Sequence, residues 1–332
     1  MLPEIDMENI LESLRGKRVL VVGDLILDHY LGGRVDRISP EAPVPIVSLE
    51  SSTGKWVPGG AANVARNVRS LGGHPVMAGV IGADREGSIL KELLKEEGID
   101  TGGVVPDPDR PTTSKTRIMS EGHQLIRLDR ELTRPVPEEV AAGLMDRIRT
   151  LFGNIDVIVL EDYNKGVLVP ELISGVIRMC RMKGLPVAVD PKFVNFFHYS
   201  GCTLFKPNRL EAGRALGMEI ESPEDAARAG SILLKKLSAE SVLLTLGGEG
   251  SVLCRPGREP FHRPATARHV YDVSGAGDTV IAVMSLALAA GLSLDDGVRT
   301  ANIAAAVTCS EPGVYAVKPE DILREVKGYS ES

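Results

Sequence analysis

The chain has 332 residues, enough for one large domain or two ordinary ones. Hydrophobic residues make up 43% of the sequence and charged residues 25%, a balance that excludes wholesale disorder. The 38 basic and 45 acidic residues leave a net charge of -7, without the basic excess of a nucleic-acid-binding protein. We therefore expect a globular protein whose partners do not include nucleic acid.

The cysteines and the apolar stretches indicate the compartment. The four cysteines form no CxxC pair and no metal-ligand spacing with histidine, which is typical of a reducing compartment. The N-terminus carries acidic residues where a signal peptide needs basic ones. The most apolar run, residues 280–292, is too short to span a bilayer. We expect a cytoplasmic protein that does not enter a membrane.

Short β-branched runs alternate with segments of helical periodicity along the chain. In chain order the predicted elements are strand 19–22, helix 61–71, strand 76–81, helix 86–97, helix 137–151, strands 157–160, 187–189 and 203–205, helix 222–237 and strand 242–245. This alternation predicts an α/β fold with a mostly parallel central sheet flanked by helices. No linker divides the sequence, so we expect a single domain over residues 1–332.

Two segments interrupt the alternation. Residues 29–56 contain two alternating patches around a proline-rich corner, and residues 113–130 have the pattern of a hairpin turned at Glu121 and Gly122. Both are predicted to be antiparallel strands inserted into the α/β frame. Because a small sheet with one apolar face must be covered, we expect a lid over a site, a dimer surface, or both.

Polar side chains follow several of the predicted strands. In open α/β sheets, ligands bind beyond the carboxyl ends of the strands. A polar residue at one strand end is routine for a turn, but five such ends together predict a binding crevice. Functional side chains at these ends include Asp24, Asp28, Glu161, Lys165, Asp190, Lys192, Lys206, Asn208 and Thr245.

The sharpest motif is DVSGAGDT, residues 272–279, which precedes an apolar helical run. Gly275, Ala276 and Gly277 at a helix start leave N–H groups unpaired, and with the helix dipole they make an anion site suited to a phosphoryl group. Asp278 beside that site fits a base that accepts a proton from a substrate hydroxyl. Alternatively, Asp278 only caps the helix. The residues alone leave both interpretations open.

Two other phosphate-binding motifs are absent from the sequence. There is no GxxxxGK[ST], which excludes a P-loop enzyme. Val280 stands where the dinucleotide fingerprint needs its third small residue, which disfavours a Rossmann dehydrogenase.

A second glycine-rich motif, PGGAANVARN, covers residues 58–67. Gly59 and Gly60 let the backbone approach a ligand closely, and Asn63 and Asn67 lie one helical turn apart. An amide both donates and accepts, as sugar hydroxyls require. The alternative is a glycine turn followed by solvated asparagines.

Two further turns fit the nucleotide side of a site. In KPNRLE, Asn208 and Glu211 are spaced for a magnesium- or phosphate-side group, but a capping box explains the same spacing better locally. In TLGGEG, Thr245, Gly247 and Gly250 form a tight turn on which a nucleotide could lie, or a bare hairpin turn.

Together, PGGAANVARN and DVSGAGD resemble in order and separation the two signatures of the ribokinase-like (PfkB) sugar kinases, over residues 18 to about 318. RISPEAPVP, QLIRLD, LEDYNKGVL and VDPK are most similar to kinases of D-glycero-β-D-manno-heptose 7-phosphate. The resemblance implies a ribokinase-like fold and transfer of the γ-phosphoryl of ATP to the C1 hydroxyl, in the ADP-heptose route to the lipopolysaccharide core. The alternatives are a kinase of another sugar or sugar phosphate, or a sensor, which the intact Asp278 loop disfavours.

The resemblance also implies roles for individual residues. Asp278 matches the catalytic base, and the 275–277 glycine loop matches the anion hole. The ATP-side residues are Asn208, Arg209, Leu210 and Glu211, with Glu211 on the metal, together with Thr245, Gly247 and Gly250. The sugar-side residues are Asp24, Asp28, Gly59, Gly60 and Asn63, with Lys165, Lys192, Arg117 and Arg127 as candidate cations for the 7-phosphate.

The family further implies Mg²⁺ with ATP, often a monovalent cation near the 275–278 loop, and a homodimer formed through the lid. Many such kinases are fused to a nucleotidyltransferase with an HxGH motif. That motif is absent from this sequence, so we expect no nucleotidyltransferase domain and no adenylylation.

Overall fold

The computed structural model describes residues 6–49, 54–266 and 270–330. The strands are β1 (Arg18–Gly23), β2 (Leu25–Ile38), β3 (Pro45–Leu49), β4 (Lys55–Gly60), β5 (His74–Gly82), β6 (Asp100–Asp107), β7 (Thr113–Ser120), β8 (His123–Arg130), β9 (Val157–Glu161), β10 (Val187–Asp190), β11 (Leu204–Phe205), β12 (Ser241–Thr245), β13 (Ser251–Cys254) and β14 (Phe261–Arg263). The helices are α1 (Met7–Leu14), α2 (Ala61–Ser70), α3 (Arg85–Glu96), α4 (Glu138–Leu151), α5 (Pro170–Lys183), α6 (Arg209–Leu216), α7 (Pro223–Leu237), α8 (Ala276–Ala290), α9 (Leu294–Ser310) and α10 (Pro319–Ser330).

Nine strands form the central sheet, in the order β14-β13-β12-β11-β10-β9-β1-β5-β6. Pairing is parallel from β12 to β6, and the β12–β13 and β13–β14 pairs are antiparallel, so β13 alone runs against the other strands of this sheet. Every strand predicted for the α/β frame is present in this sheet, which confirms the fold class.

Alternation along the buried strands divides the core into two layers. In β1, Val19 and Val21 pack with α1, α2, α3, α8, α9 and α10, whereas Leu20 and Val22 pack with α4, α5, α6 and α7. Successive strand side chains point to opposite faces, so a continuous apolar strand needs helices on both sides. The apolar run after Asp278 is helix α8, which is buried for most of its length. None of the described helices is long and apolar enough to cross a membrane.

The predicted lid is a second sheet of five strands, in the order β3-β2-β7-β8, with β4 also paired to β2. The hairpin of β7 and β8 turns at Glu121 and Gly122, as predicted. One detail was wrong, because β2 and β7 pair in parallel and the lid is therefore a mixed sheet. A short turn forces antiparallel pairing only within a hairpin, and β2 and β7 are far apart in the chain.

The lid also begins and ends outside its predicted limits. β2 starts at Leu25, before residue 29, and β4 runs to Gly60. Only Asp24 separates β1 of the central sheet from β2 of the lid. The apolar character of Leu25–Leu27 hid this change of sheet, because those residues are as buried as a central strand.

Candidate active site

Helix α8 begins beyond the carboxyl ends of β9 and β10, and its first turn has backbone N–H donors without acceptors among the described residues. Gly275 is its N-cap residue, with a φ of 82°, a left-handed conformation that favours glycine. In the part of the chain that the structure describes, the N–H groups of Gly275, Gly277 and Asp278 have no acceptor. The sequence predicted that the N–H of Ala276 also faces the anion. That N–H instead donates to the carbonyl of Val273 at 3.3 Å, so it is not a free donor.

The carboxylate of Asp278 is held by two side chains from other elements. Asn63 Nδ2 in α2 donates to Oδ2 at 2.7 Å, and the hydroxyl of Tyr163 donates to Oδ1 at 2.7 Å. No described backbone N–H of α8 donates to this carboxylate, so Asp278 does not act as a simple cap. Burial raises the pKa of Asp278 to about 6, against the lowering effect of the two hydrogen bonds. A carboxylate in this state suits a general base near neutral pH.

Asp278 also lies beside two other buried acids. Oxygens of Glu161, Asp190 and Asp278 lie within 4.8 Å of one another. Asp190 is paired with the buried ammonium of Lys206 at 2.7 Å. Glu161 is fully buried, and neither of its oxygens has a hydrogen-bond partner among the described residues. Burial and the charges of Asp190 and Asp278 raise the pKa of Glu161 well above its usual range.

The resemblance to the family implies a bound Mg²⁺. This acidic cluster suits that ion better than Glu211, the ligand predicted from the sequence. Carboxylate oxygens are the ligands that Mg²⁺ prefers, and the orphaned oxygens of Glu161 gain a partner if a cation binds there. The oxygens of Glu211 already contact Lys192 at 2.5 Å and the backbone N–H of Asn208 at 2.9 Å. Glu211 as a direct ligand stays a prediction that requires these contacts to change.

Asp24, predicted from the sequence as a sugar-contacting residue, has its carboxylate bound by backbone N–H groups in the structure. Its carboxylate accepts the backbone N–H groups of Tyr163, Lys165 and Val167 at 2.7, 3.0 and 3.2 Å. Asp24 therefore positions the loop that carries Tyr163. Burial and the charge of Asp162 raise its pKa to about 6.

Gly59 and Gly60 of the PGGAANVARN motif lie where strand β4 passes close to β2. A Cβ on Gly59 would lie 2.1 Å from Oδ2 of Asp28, and one on Gly60 would lie 2.7 Å from the carbonyl of Asp24. Asn67 is fully buried and bonds Asn63, Thr279 and the backbone of Val317. It therefore joins α2 to α8 and is not the exposed sugar-binding amide suggested by the sequence.

The predicted nucleotide-side residues come together at the ends of β11 and β12. Asn208 and Thr245 are paired in an isolated parallel bridge, and Asn208 forms the capping box with Glu211. Arg209 pairs with Glu249, and Leu210 is 80% exposed. A Cβ on Gly247 would meet no atom within 4 Å, so this turn borders open space. Gly250 instead packs tightly, since its Cβ would lie 2.0 Å from the carbonyl of Arg263.

Each of the four predicted phosphate-binding cations is already paired with an acid. Lys165 lies 2.7 Å from Glu131, and Lys192 lies 2.5 Å from Glu211. In the lid, Arg117 pairs with Asp28, and Arg127 with Asp129 at 2.8 Å.

Sequence reasoning placed Glu161, Asp190 and Lys206 at the predicted crevice without a specific role, and it did not single out Tyr163. All four follow or end central strands, and LEDYNKG and VDPK are the runs that contain three of them. A tyrosine two residues past a buried strand was the available signal for Tyr163. Nothing local to it indicates a bond to Asp278, 115 residues later.

Comparisons with known proteins show the same fold in two solved structures. Escherichia coli phosphofructokinase-2, solved in complex with potassium, is similar with a TM-score of 0.80 and 19% identity, covering 95% of this chain and 99% of that chain. Arabidopsis thaliana ribokinase, solved with ribose and ATP, has a TM-score of 0.74 and 21% identity, covering 94% and 99%.

Two curated relatives are more similar in sequence. The bifunctional protein HldE of Pelobacter propionicus is 40% identical over 320 residues, 96% of this chain and 65% of that protein. Its namesake from Caulobacter vibrioides is 42% identical over 311 residues, 93% of this chain and 63% of that protein. The chain thus spans less than two thirds of the length of these relatives. Residues 17–321 match the model of the pfkB family carbohydrate kinases, and the chain belongs to this family of sugar kinases.

Proposed function

We propose that this sugar kinase transfers the γ-phosphoryl group of ATP to the C1 hydroxyl of D-glycero-β-D-manno-heptose 7-phosphate, in the ADP-heptose route to the lipopolysaccharide core. The observation that carries the transfer chemistry is the carboxylate of Asp278, held by Asn63 and Tyr163 beside the unpaired N–H groups of α8. The choice of sugar rests on RISPEAPVP, QLIRLD and LEDYNKGVL, and the similarity to the two HldE proteins supports it.

In this proposal Asp278 accepts the proton of the C1 hydroxyl as its oxygen attacks the γ-phosphorus in line, a role usually worth about 10²–10⁴-fold in rate. The N–H groups of Gly275, Gly277 and Asp278 hold the charge that develops on the transferred group, and each well-placed donor contributes roughly 3 kcal/mol. The lid excludes water, which would otherwise hydrolyse ATP.

In this proposal ATP lies over the ends of β11 and β12, where Gly247 borders open space and Thr245 pairs with Asn208. Glu161 and Asp190, beside Asp278, would hold the metal, and Mg²⁺ bound there would neutralise phosphate charge. A monovalent cation near the 275–278 loop remains part of the proposal, on the strength of the potassium named for the similar phosphofructokinase-2.

The test is ADP release by the purified protein with Mg-ATP and the heptose 7-phosphate, beside fructose 6-phosphate, ribose and no sugar. Turnover confined to the heptose phosphate supports the proposal. Turnover with another sugar keeps Asp278 as base and removes the heptose assignment. ATP binding without turnover on any sugar would point to the sensor.

We also propose that a second copy of the chain covers the lid. The lid exposes large apolar side chains that a monomer leaves in water: Val35, Ile38, Val44, Leu49, Leu125, Ile126 and Leu128. Sedimentation analysis of the wild type should give a dimer and that of Ile126→Asp a monomer, with Ile232→Asp on exposed α7 as the control. A monomeric wild type at micromolar concentration would refute this arrangement.

A further inference from the structure

The face of the lid that carries Asp28 also carries three cations. Strand register places Lys115 on β7 between Asp28 on β2 and Asp129 on β8, and Arg117 between Tyr30 and Arg127. Residues directly opposite each other, and residues two apart in one strand, point to the same face of a sheet. Three cations and two acids therefore share this face, which leaves it with a surplus positive charge.

On that face the two arginines form ion pairs with acids, and the lysine pairs with no described acid. Arg117 takes Asp28, and Arg127 takes both oxygens of Asp129, at 2.8 and 2.9 Å. Lys115 stands between these two acids, and no described residue offers its ammonium group a hydrogen bond or an acid within ion-pair distance. Both flanking carboxylates are thus already engaged by arginines. Burial lowers the pKa of Lys115, with the charge of Lys165 adding to the effect and Asp28 opposing it.

Lys115 is also close to the reacting centre. Its Nζ lies 5.7 Å from the centre of the Tyr163 ring, over the ring, and the hydroxyl of that ring bonds Asp278 at 2.7 Å. One phenol ring therefore separates the ammonium group from the base. A sugar phosphate that places its C1 hydroxyl on Asp278 would extend across this ring towards Lys115 and the lid.

A half-buried ammonium without an acid is costly unless a ligand supplies the anion. We propose that Lys115 is the specificity-determining residue that binds the phosphate group already present on the sugar substrate. The four cations predicted from the sequence would each have to leave an acid to do so, whereas Lys115 would not. This inference rests on the proposed function in that it requires a phosphorylated sugar as substrate.

The experiment compares Lys115→Met and Lys115→Arg with the wild type on heptose 7-phosphate and on the unphosphorylated heptose. Lys115→Met should raise the KM for the sugar phosphate by about 10–100-fold, the usual range for loss of a charged hydrogen bond. The KM for ATP and any turnover of unphosphorylated heptose should change by less than about threefold, because neither uses the ammonium group. Lys115→Arg should recover most of the lost affinity.

Lys235→Met, on an exposed turn of α7, is the matched control and should behave as the wild type. Amine labelling of the wild type, read by peptide mass spectrometry, gives a test that no folding defect can confuse. Heptose 7-phosphate should protect Lys115, and unphosphorylated heptose should not. Equal labelling of Lys115 with both sugars, or an unchanged KM for the sugar phosphate in a folded Lys115→Met variant, would overturn the inference.

The same experiment separates the two proposals. If the wild type uses another sugar phosphate, the heptose assignment fails, and the KM comparison with that substrate and its dephosphorylated form decides the role of Lys115. If the wild type uses only unphosphorylated sugars, both proposals are wrong.

Discussion

Asn63 Nδ2 lies 2.7 Å from Oδ2 of Asp278, although 215 residues separate the two side chains in the sequence. This contact joins the first turn of α2 to the first turn of α8, so the two glycine-rich motifs form one site. Oδ1 of Asn63 is buried and has no partner among the described residues. The amide therefore fixes the base with its nitrogen and leaves its oxygen available for a substrate hydroxyl.

Replacing Asp278 by asparagine should abolish nearly all turnover, by about 10²–10⁴-fold, because the amide cannot accept the hydroxyl proton. ATP binding, followed by calorimetry, should be unchanged. Asp146→Asn, on the exposed face of α4, is the matched control. Turnover of Asp278→Asn within tenfold of the wild type would show that another group is the base.

The acid limb of the pH–rate profile should report the ionisation of Asp278, with activity falling as the pH drops through about 6. The Tyr163 hydroxyl lowers that pKa by bonding the charged carboxylate, so Tyr163→Phe should move the limb to higher pH. Tyr315→Phe removes a hydroxyl that bonds Asp321 and should leave the profile in place. An acid limb at the same pH in Tyr163→Phe and the wild type would argue against assigning that limb to Asp278.

The same pKa predicts a trade of stability for activity. The pKa of Asp278 is about 6 in the folded protein and about 3.8 in the unfolded chain. Ionised Asp278 therefore costs the folded state on the order of 3 kcal/mol above pH 7. That cost disappears as the pH falls through 6 towards 3.8. Asp278→Asn should therefore melt above the wild type at pH 8, and this advantage should shrink at pH 5. A pH-independent difference in melting temperature would contradict the shift.

Gly59→Ala should damage sugar binding. Its Cβ would lie 2.1 Å from Oδ2 of Asp28, so Asp28 must move and its ion pair with Arg117 must change. We expect a loss of about 1–3 kcal/mol in stability, as for other overpacked sites, and a raised KM for the sugar. Gly143→Ala, inside α4 with open space around it, should instead gain about 0.5–1 kcal/mol. Equal unfolding midpoints for the two variants would refute this steric account.

Glu161→Gln tests the acidic cluster as a cation site. If Glu161 and Asp190 hold Mg²⁺ beside Asp278, the free Mg²⁺ needed by Glu161→Gln for half-maximal activity at saturating Mg-ATP should rise by about tenfold or more. Glu171→Gln, exposed on α5, should not alter it. An unchanged magnesium requirement would remove Glu161 from the set of ligands.

The fold was predictable because its signals are local and periodic. The runs at 19–22, 157–160 and 242–245 are too apolar for a half-exposed sheet, and the structure buries both of their faces. The mixed lid was not predictable, because the direction in which β2 meets β7 is set by the path of the intervening chain and by no pattern within either strand.

The site divides in the same way. Asp278 and the glycine loop could be found from one motif, because a helix start makes an anion site by backbone geometry alone. The contacts that orient the base are made by Asn63 and Tyr163 from distant elements, and a single sequence does not record which distant side chains meet. The contacts of Asp24 could not be foreseen for the same reason, since its partners are backbone N–H groups of any residue type.

The single residue between β1 and β2 has a mechanical consequence. The backbone of Asp24 donates to the carbonyl of Glu161 at 3.1 Å and accepts from Ala61 at 3.0 Å, and its carboxylate holds the 163–167 loop. This root offers no hinge about which the lid could rotate as a rigid flap. We therefore expect any movement of the lid that admits a sugar to bend the long strand β2 beyond Asp28, towards the irregular pairing between Val35 and Arg37.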